Sequence, residues 1–306
     1  MTTERIAALD FGTNTARLLI AERTADGSFS HVRIEREIVR MGGGFCRENG
    51  LSPEAVERGL ACLERFSDVL KDNPVAEIRG VATSAVRDAA NGSWFLEEAR
   101  RRTGITLRVI DGTREGALTL AGVIAGLDCE PENLLVFDVG GGSTEYTLAR
   151  NGSAVFIKSL PLGVVRLTEG KGTVAAMGGK IDKELSLLLD DLRNAGQMVD
   201  PRHSLLVGTA GTATTLAAIK LKMENYDYRL VNNSLLTIEE IKDIFERLLP
   251  MRPEDRVQVP GLEKGREDLI IAGTLLTVHT MERFGFSEMK VSDYGLLEGL
   301  IVADDF

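Results

Sequence analysis

The sequence predicts an α/β protein, and three observations carry that expectation. Strand-like apolar runs alternate with helical patterns along most of the 306 residues. Three of those runs close in glycine-bearing turns, at Asp10–Arg17, Asp138–Glu145 and Gly208–Thr212. The Asp10 and Asp138 turns lie 128 residues apart and each opens a strand-rich block, which predicts a duplicated unit with a cleft between the copies.

Taken in order, residues 5–40 read as strands: a hairpin around Asp10, then Ser28–Arg36 with partial alternation. Gly42–Gly44 reads as a flexible break. Ser52-Pro53-Glu54 is a helix start, with proline at the first helical position and an acid in the first turn. Val56, Leu60, Leu63, Phe66 and Leu70 follow at helical spacing. Ile78–Thr83 is a strand running into a loop, Ser93–Arg102 a helix, and Leu107–Ile110 a strand. A helix is expected over about Thr113–Ala125. In Leu134–Arg150, LLVFDVGGGSTEYTLAR, two apolar runs flank a glycine triplet, the pattern of strand, tight turn, strand. Ile181, Leu185, Leu188 and Leu192 mark a helix, and Leu205–Gly208 a strand. Thr237 and Glu240 form a capping box ahead of Ile241, Ile244 and Leu248. Leu269–Phe284 is apolar enough for a buried helix, Met289–Ser292 is a strand, and the last dozen residues form a closing helix.

The composition bounds the function. Hydrophobic content of 43% and charged content of 27% are ordinary for a globular protein. A net charge of −10, from 46 acidic and 36 basic residues, argues against a nucleic-acid polymer or membrane surface as partner. The cysteines Cys46, Cys62 and Cys129 have no metal-like spacing and read as reduced thiols. The first residues, MTTERIAALD, lack signal-peptide character, and the longest apolar stretch is too short to span a bilayer, so a cytoplasmic protein is expected.

The turns suggest the chemistry. Gly140, Gly141 and Gly142 remove every Cβ from their turn, so main-chain N–H groups can approach an anion. Asp138 and Glu145 flank it and suit a hard cation or a positioned water. In the stretch 81–91, Ser84, Arg87 and Asn91 bring a hydroxyl, a guanidinium and an amide together. Arg87 suits bidentate phosphate binding, or is a surface arginine; Asn91 suits the same ligand, or caps a helix. Glu115, in the first turn of its helix, suits a general base, or is placed there only by the helix dipole. The histidines His31, His203 and His279 are scattered and take no role. There is no Walker A lysine loop and no Gly-x-Ser-x-Gly elbow.

Together these motifs resemble the exopolyphosphatase / guanosine pentaphosphate phosphohydrolase (Ppx/GppA) phosphatases of the actin-like ATPase superfamily. The matching stretches are Asp10-x-Gly12-x-Asn14-x-x-Arg17, VATSAVRDAAN (81–91), IDGTREGAL (110–118) and DVGGGSTE (138–145). SLPLGVVRLTE (159–169), GTAGTATTLAA (208–218), PGLEKGREDLIIAG (260–273) and SDYGLLEG (292–299) continue the match in order. The resemblance implies two ribonuclease-H-like domains with an interdomain cleft, residues 1–123 with 293–306 and residues 124–292. It implies Asp10, Asp138 and Glu145 as ligands of a divalent cation, expected to be Mg²⁺, with Glu115 as catalytic base beside Arg87. Gly12, Thr13, Asn14, Thr15, Arg17, Ser84, Asn91, Gly140–Gly142, Ser143, Arg166, Gly208, Thr209, Gly211, Thr212 and Arg266 are the implied phosphate-binding set. For Arg166 and Arg266 a surface ion pair is the alternative. Two positions depart from the family pattern: Arg114 stands where a second acid is common, and Leu297 where an arginine is usual.

The implied reaction is removal of terminal orthophosphate from inorganic polyphosphate or guanosine pentaphosphate by metal-assisted attack of water. The rival readings are a small-molecule or sugar kinase of the same architecture and a non-catalytic module that binds guanosine tetra- or pentaphosphate. Choice between the two substrates, chain length and oligomeric state, a homodimer included, stay open at this level.

Overall fold

The computed structural model describes residues 3–25, 27–45, 49–304 and 306. In chain order the elements are β1 (Thr3–Phe11), β2 (Thr15–Thr24), β3 (Phe29–Ile38), α1 (Pro53–Asp72), β4 (Glu77–Ala82), α2 (Ser84–Arg87), α3 (Gly92–Thr103), β5 (Leu107–Val109) and α4 (Gly112–Gly126). They continue as β6 (Asn133–Val139), β7 (Thr144–Arg150), β8 (Ser153–Leu160), α5 (Val164–Lys171), α6 (Val174–Asn194), β9 (Leu205–Thr209), α7 (Ala210–Lys220) and α8 (Tyr228–Val231). The last are β10 (Leu235–Thr237), α9 (Ile238–Leu248), α10 (Pro253–Arg256), α11 (Ile270–Phe284), β11 (Glu288–Val291) and α12 (Leu296–Val302). The chain divides into two compact units, Met1–Ala125 with Leu296–Phe306, and Gly126–Gly295.

In the first unit the described residues form a sheet of order β3-β2-β1-β4-β5, with β1–β2 and β2–β3 antiparallel and β1–β4 and β4–β5 parallel. Helices cover both faces, so β1 reads as a continuous apolar run. Leu9, Phe11, Leu18 and Ile20 pack beneath α1 residues Leu60, Leu63 and Phe66. Ile6, Ala8 and Leu19 pack beneath α12 residues Leu296, Leu297 and Leu300 on the other face. Leu297, at the position where the resembled family usually has arginine, is 3% exposed and belongs to this core. The α1 start is as read: the Ser52 Oγ accepts from the Ala55 N–H at 3.2 Å, with Pro53 in the first turn.

The second unit repeats the pattern in the order β8-β7-β6-β9-β11, with β10 added outside β11. Here β6–β7 and β7–β8 are antiparallel, and β6–β9 and β9–β11 parallel. The same strand order in both units supports the duplication read from the spacing of Asp10 and Asp138. The expected buried helix is α11, buried through most of its length among α5, α6, α7 and α9, with the charged Glu282 and Arg283 exposed in its last turn. Its Thr280 shares a 2.6 Å hydrogen bond with the Tyr146 hydroxyl. The capping box at Thr237 and Glu240 is present with both of its hydrogen bonds.

Three expectations are corrected. Gly42–Gly44 is a hydrogen-bonded turn, with the Gly42 N–H donating to the Thr13 carbonyl at 2.9 Å. The segment after β4 is the one-turn helix α2. The third glycine stretch is a strand passing directly into α7, with Ala210 at φ 60°. Among the described residues, no helix is long and apolar enough to cross a membrane. Cys46 lies outside the described residues; Cys62 is buried and Cys129 exposed, and both are free thiols.

Candidate active site

In the first unit the turn between β1 and β2 is closed by the Gly12 N–H donating to the Thr15 carbonyl at 3.0 Å. A Cβ on Gly12 would stand 2.9 Å from that oxygen, so the turn needs glycine. Directly below it Asp10 and Arg17 face each other across the strands. Arg17 donates to Asp10 Oδ2 from Nη2 at 2.7 Å and from Nε at 3.2 Å, which joins the expected ligand and the expected phosphate-binding arginine into one ion pair. The Thr13 and Ser84 hydroxyls share a buried 2.8 Å hydrogen bond. Asn14 is buried, and its Oδ1 takes no hydrogen bond among the described residues. The Thr13, Asn14 and Ser84 groups named from the sequence therefore cluster at the β1 and β4 strand ends.

Glu115 and Arg87 also meet. Asp111 caps α4 through a 2.8 Å hydrogen bond from the Arg114 N–H to its Oδ1, and Glu115 follows in the first turn. There the helix dipole favours a carboxylate. Arg87, at the end of α2, donates to the Ile110 carbonyl at 2.9 Å and reaches Glu115 Oε2 at 3.5 Å. Glu115 is 8% exposed. Asn91 does something else. Its Oδ1 accepts from the Leu51 N–H at 2.8 Å and its Nδ2 donates to the Leu51 carbonyl at 3.0 Å. Both ends of the amide hold the segment before α1, and the side chain makes no cap hydrogen bond to α3.

In the second unit the Gly140 N–H donates to the Ser143 carbonyl at 3.0 Å, the counterpart of the Gly12 turn. Asp138 and Glu145 stand opposite each other where the first unit has Asp10 and Arg17. The start of α5 rests on this turn: Val164 N–H donates to the Gly140 carbonyl at 3.0 Å and Val165 N–H to the Gly141 carbonyl at 3.0 Å. Because a trans peptide sets its C=O and N–H on opposite sides, the Gly141 and Gly142 N–H groups are directed away from α5. Gly163 permits the approach; a Cβ there would lie 2.2 Å from the Gly141 carbonyl carbon. Ser143 is buried beside this turn, and Arg166 is an exposed residue in the first turn of α5.

Thr209, Gly211 and Thr212 sit at the amino end of α7, where N–H groups and the helix dipole favour an anion. The Arg266 guanidinium lies against Gly211 so closely that a Cβ would fall 1.9 Å from its Nη2. Arg266 is 8% exposed and its Nε donates to Glu263 Oε2 at 2.8 Å, a partly buried ion pair. Arg266, Gly211, Thr212 and Val164 line one recess. Gly208 is buried in β9, below the helix start.

The implied cation can be tested against these donors. Asp138 and Glu145 are 8% and 2% exposed, and two buried carboxylates in directly opposite positions repel unless a cation lies between them. Hard oxygen donors suit Mg²⁺, which binds through one or two carboxylates and completes its shell with phosphate oxygens and water. The pair fits that group. Among the described residues, no group of three or more His, Cys, Asp or Glu side chains is placed to hold a metal ion.

Two neighbours of these residues escaped the sequence reading. Ser159 on β8 donates to Glu145 Oε1 at 2.6 Å, and Glu263 holds Arg266. Both lie in matched stretches, but only strand register and tertiary contact give them a role.

Comparison with known proteins shows the family. The model of the Ppx/GppA phosphatase family matches residues 19–305. The exopolyphosphatase 2 of Mycobacterium tuberculosis is 31% identical, over 99% of this chain and 99% of its own length. A bifunctional 3-dehydroquinate synthase/phosphatase of Fusobacterium nucleatum is 32% identical over 97% of this chain, which spans about half (46%) of that relative. The crystal structure of the Aquifex aeolicus Ppx/GppA family member shares 30% identity and a TM-score of 0.79, covering 98% of this chain and 97% of its own. An exopolyphosphatase from Cytophaga hutchinsonii gives a TM-score of 0.87 at 26% identity, over 97% and 96%. With the family model matched almost end to end, this chain belongs to the Ppx/GppA phosphatase family.

Proposed function

We propose that this chain acts on inorganic polyphosphate, with guanosine pentaphosphate as a second substrate, and releases orthophosphate from the chain end with Mg²⁺ in the cytoplasm. As a member of its family it is a hydrolase of phosphoanhydride bonds. The full-length similarity to an exopolyphosphatase supports polyphosphate as the first substrate.

One observation carries the mechanism: Glu115 is buried in the first turn of α4 with the Arg87 guanidinium 3.5 Å away. Glu115 takes a proton from the attacking water. Arg87, fixed by the Ile110 carbonyl, orients Glu115 and offers its remaining N–H groups to the phosphoryl oxygens. The Gly140–Ser143 turn and the amino end of α7, with Arg266 against it, bind phosphate oxygens through main-chain N–H groups and one guanidinium. Asp138 and Glu145 would hold Mg²⁺, and the cation would supply neutralisation of phosphate charge. Phosphoryl transfer needs positioning and charge stabilisation more than covalent help, and each unit carries groups of that kind.

The test is an orthophosphate-release assay with short polyphosphate, long polyphosphate and guanosine pentaphosphate, each with Mg²⁺ and no acceptor. Release from polyphosphate is the expected result. No release until an alcohol acceptor is added in a parallel reaction, or nucleotide binding without turnover, would contradict it.

A further inference from the structure

We infer that Ser159 is a positioning residue that sets Glu145 for cation binding. Across the second sheet, Asp138 on β6 faces Glu145 on β7, and Glu145 faces Ser159 on β8. Side chains in directly opposite positions emerge on the same face, so the three form one polar row across three strands. At one step of the row the Ser159 hydroxyl donates to Glu145 Oε1 at 2.6 Å, the short distance of a charge-assisted hydrogen bond. At the other stands the Asp138 carboxylate. Ser159 thus anchors one oxygen of Glu145 on the side away from Asp138.

That arrangement is what a ligand carboxylate needs. A free glutamate side chain carries rotamer entropy that must be surrendered when it binds a metal, and an outer hydrogen bond removes that freedom beforehand. Losing such a bond typically weakens metal affinity about 10–100-fold. The competing explanation is that Ser159 merely satisfies a buried carboxylate, in which case its loss lowers stability and nothing else.

The inference rests on the reading of Asp138 and Glu145 as cation ligands, and the experiment separates the two. Mg²⁺ alone is titrated calorimetrically into the whole protein and into Ser159→Ala, Ser159→Thr and Glu145→Gln. Mg²⁺-dependent thermal shifts and the Mg²⁺ concentration for half-maximal phosphate release are measured alongside. The expected result is that Ser159→Ala binds Mg²⁺ about 10–100-fold more weakly and recovers kcat at saturating Mg²⁺, whereas Ser159→Thr restores affinity. Ser159→Cys, close in size and a weak donor, carries the test if the alanine variant does not fold. An unchanged Mg²⁺ affinity in a less stable Ser159→Ala protein overturns the positioning role. Unchanged Mg²⁺ binding in Glu145→Gln overturns the cation reading and the inference with it.

Discussion

Arg17 and Asp10 stand directly opposite one another on β2 and β1, with two guanidinium N–H groups on one carboxylate oxygen. In the second unit the equivalent pair is Asp138 and Glu145, two acids. Duplication thus kept the turn and changed the sign of one partner. The first unit carries a balanced pair and the second two buried acids in opposite positions.

Replacing Arg17 with glutamine leaves a nine-tenths buried carboxylate without its charge-assisted partner. Arg17→Gln is expected to cost about 1–3 kcal/mol of stability and to raise KM for polyphosphate. Denaturant melts and steady-state kinetics check both. A variant as stable as the parent would mean that the ion pair contributes nothing.

Gly163 marks how tightly α5 seats on the Gly140–Gly142 turn. Gly163→Ala puts a Cβ 2.2 Å from the Gly141 carbonyl carbon and must displace the turn or the helix. The expected loss is about 1–3 kcal/mol, together with most of the activity. Gly170→Ala, on the same helix, meets open space and is expected to be neutral or slightly stabilising. Equal behaviour of the two in thermal melts would contradict this packing.

Asn91 holds Leu51 through both ends of its amide, and a variant separates that structural role from the expected phosphate contact. Asn91→Ala removes both hydrogen bonds to Leu51 and is expected to destabilise by about 1–3 kcal/mol while leaving KM within about twofold. A large rise in KM with unchanged stability would return Asn91 to the phosphate-binding set.

Glu37 is one of several carboxylates that contribute to the acid limb of stability. The Arg65 guanidinium hydrogen-bonds Glu37, at 2.7 Å from its Nε, and against some burial holds that carboxyl below the usual carboxylate range. A depressed carboxylate pKa contributes stability above the unfolded-state value, about 4.3, and loses it as pH falls through the lower folded-state value. Arg65→Gln is therefore expected to be less stable than the parent at pH 7, by under about 1 kcal/mol for so exposed a pair, with the gap narrowing as pH falls below the ordinary carboxylate range. Melting temperatures from pH 2 to 7 give the comparison, and a constant gap at every pH would contradict it.

Much of this was legible in the chain because it is local. The α1 cap at Ser52, the capping box at Thr237 and the β6–β7 hairpin depend on residues within a few positions of each other. Asp10 facing Arg17, and Asp138 facing Glu145, follow from hairpin register once the turn is recognised. The remainder was hidden for identifiable reasons. The four-residue helix α2 is too short to show a period. Ala210 starts α7 at φ 60°, a conformation rare outside glycine, so the sequence read as a turn. Asn91 meets Leu51 across 40 residues, and Arg266 lies against Gly211 through tertiary packing alone.

The most direct test of the account is the turnover number of Glu115→Gln on polyphosphate at saturating Mg²⁺, with the melting temperature recorded beside it. A general base contributes about 10²–10⁴-fold, so kcat should fall by that factor in a protein as well folded as the parent. A Glu115→Gln protein that folds normally and releases orthophosphate at the parental rate would contradict the assignment of Glu115 as the base.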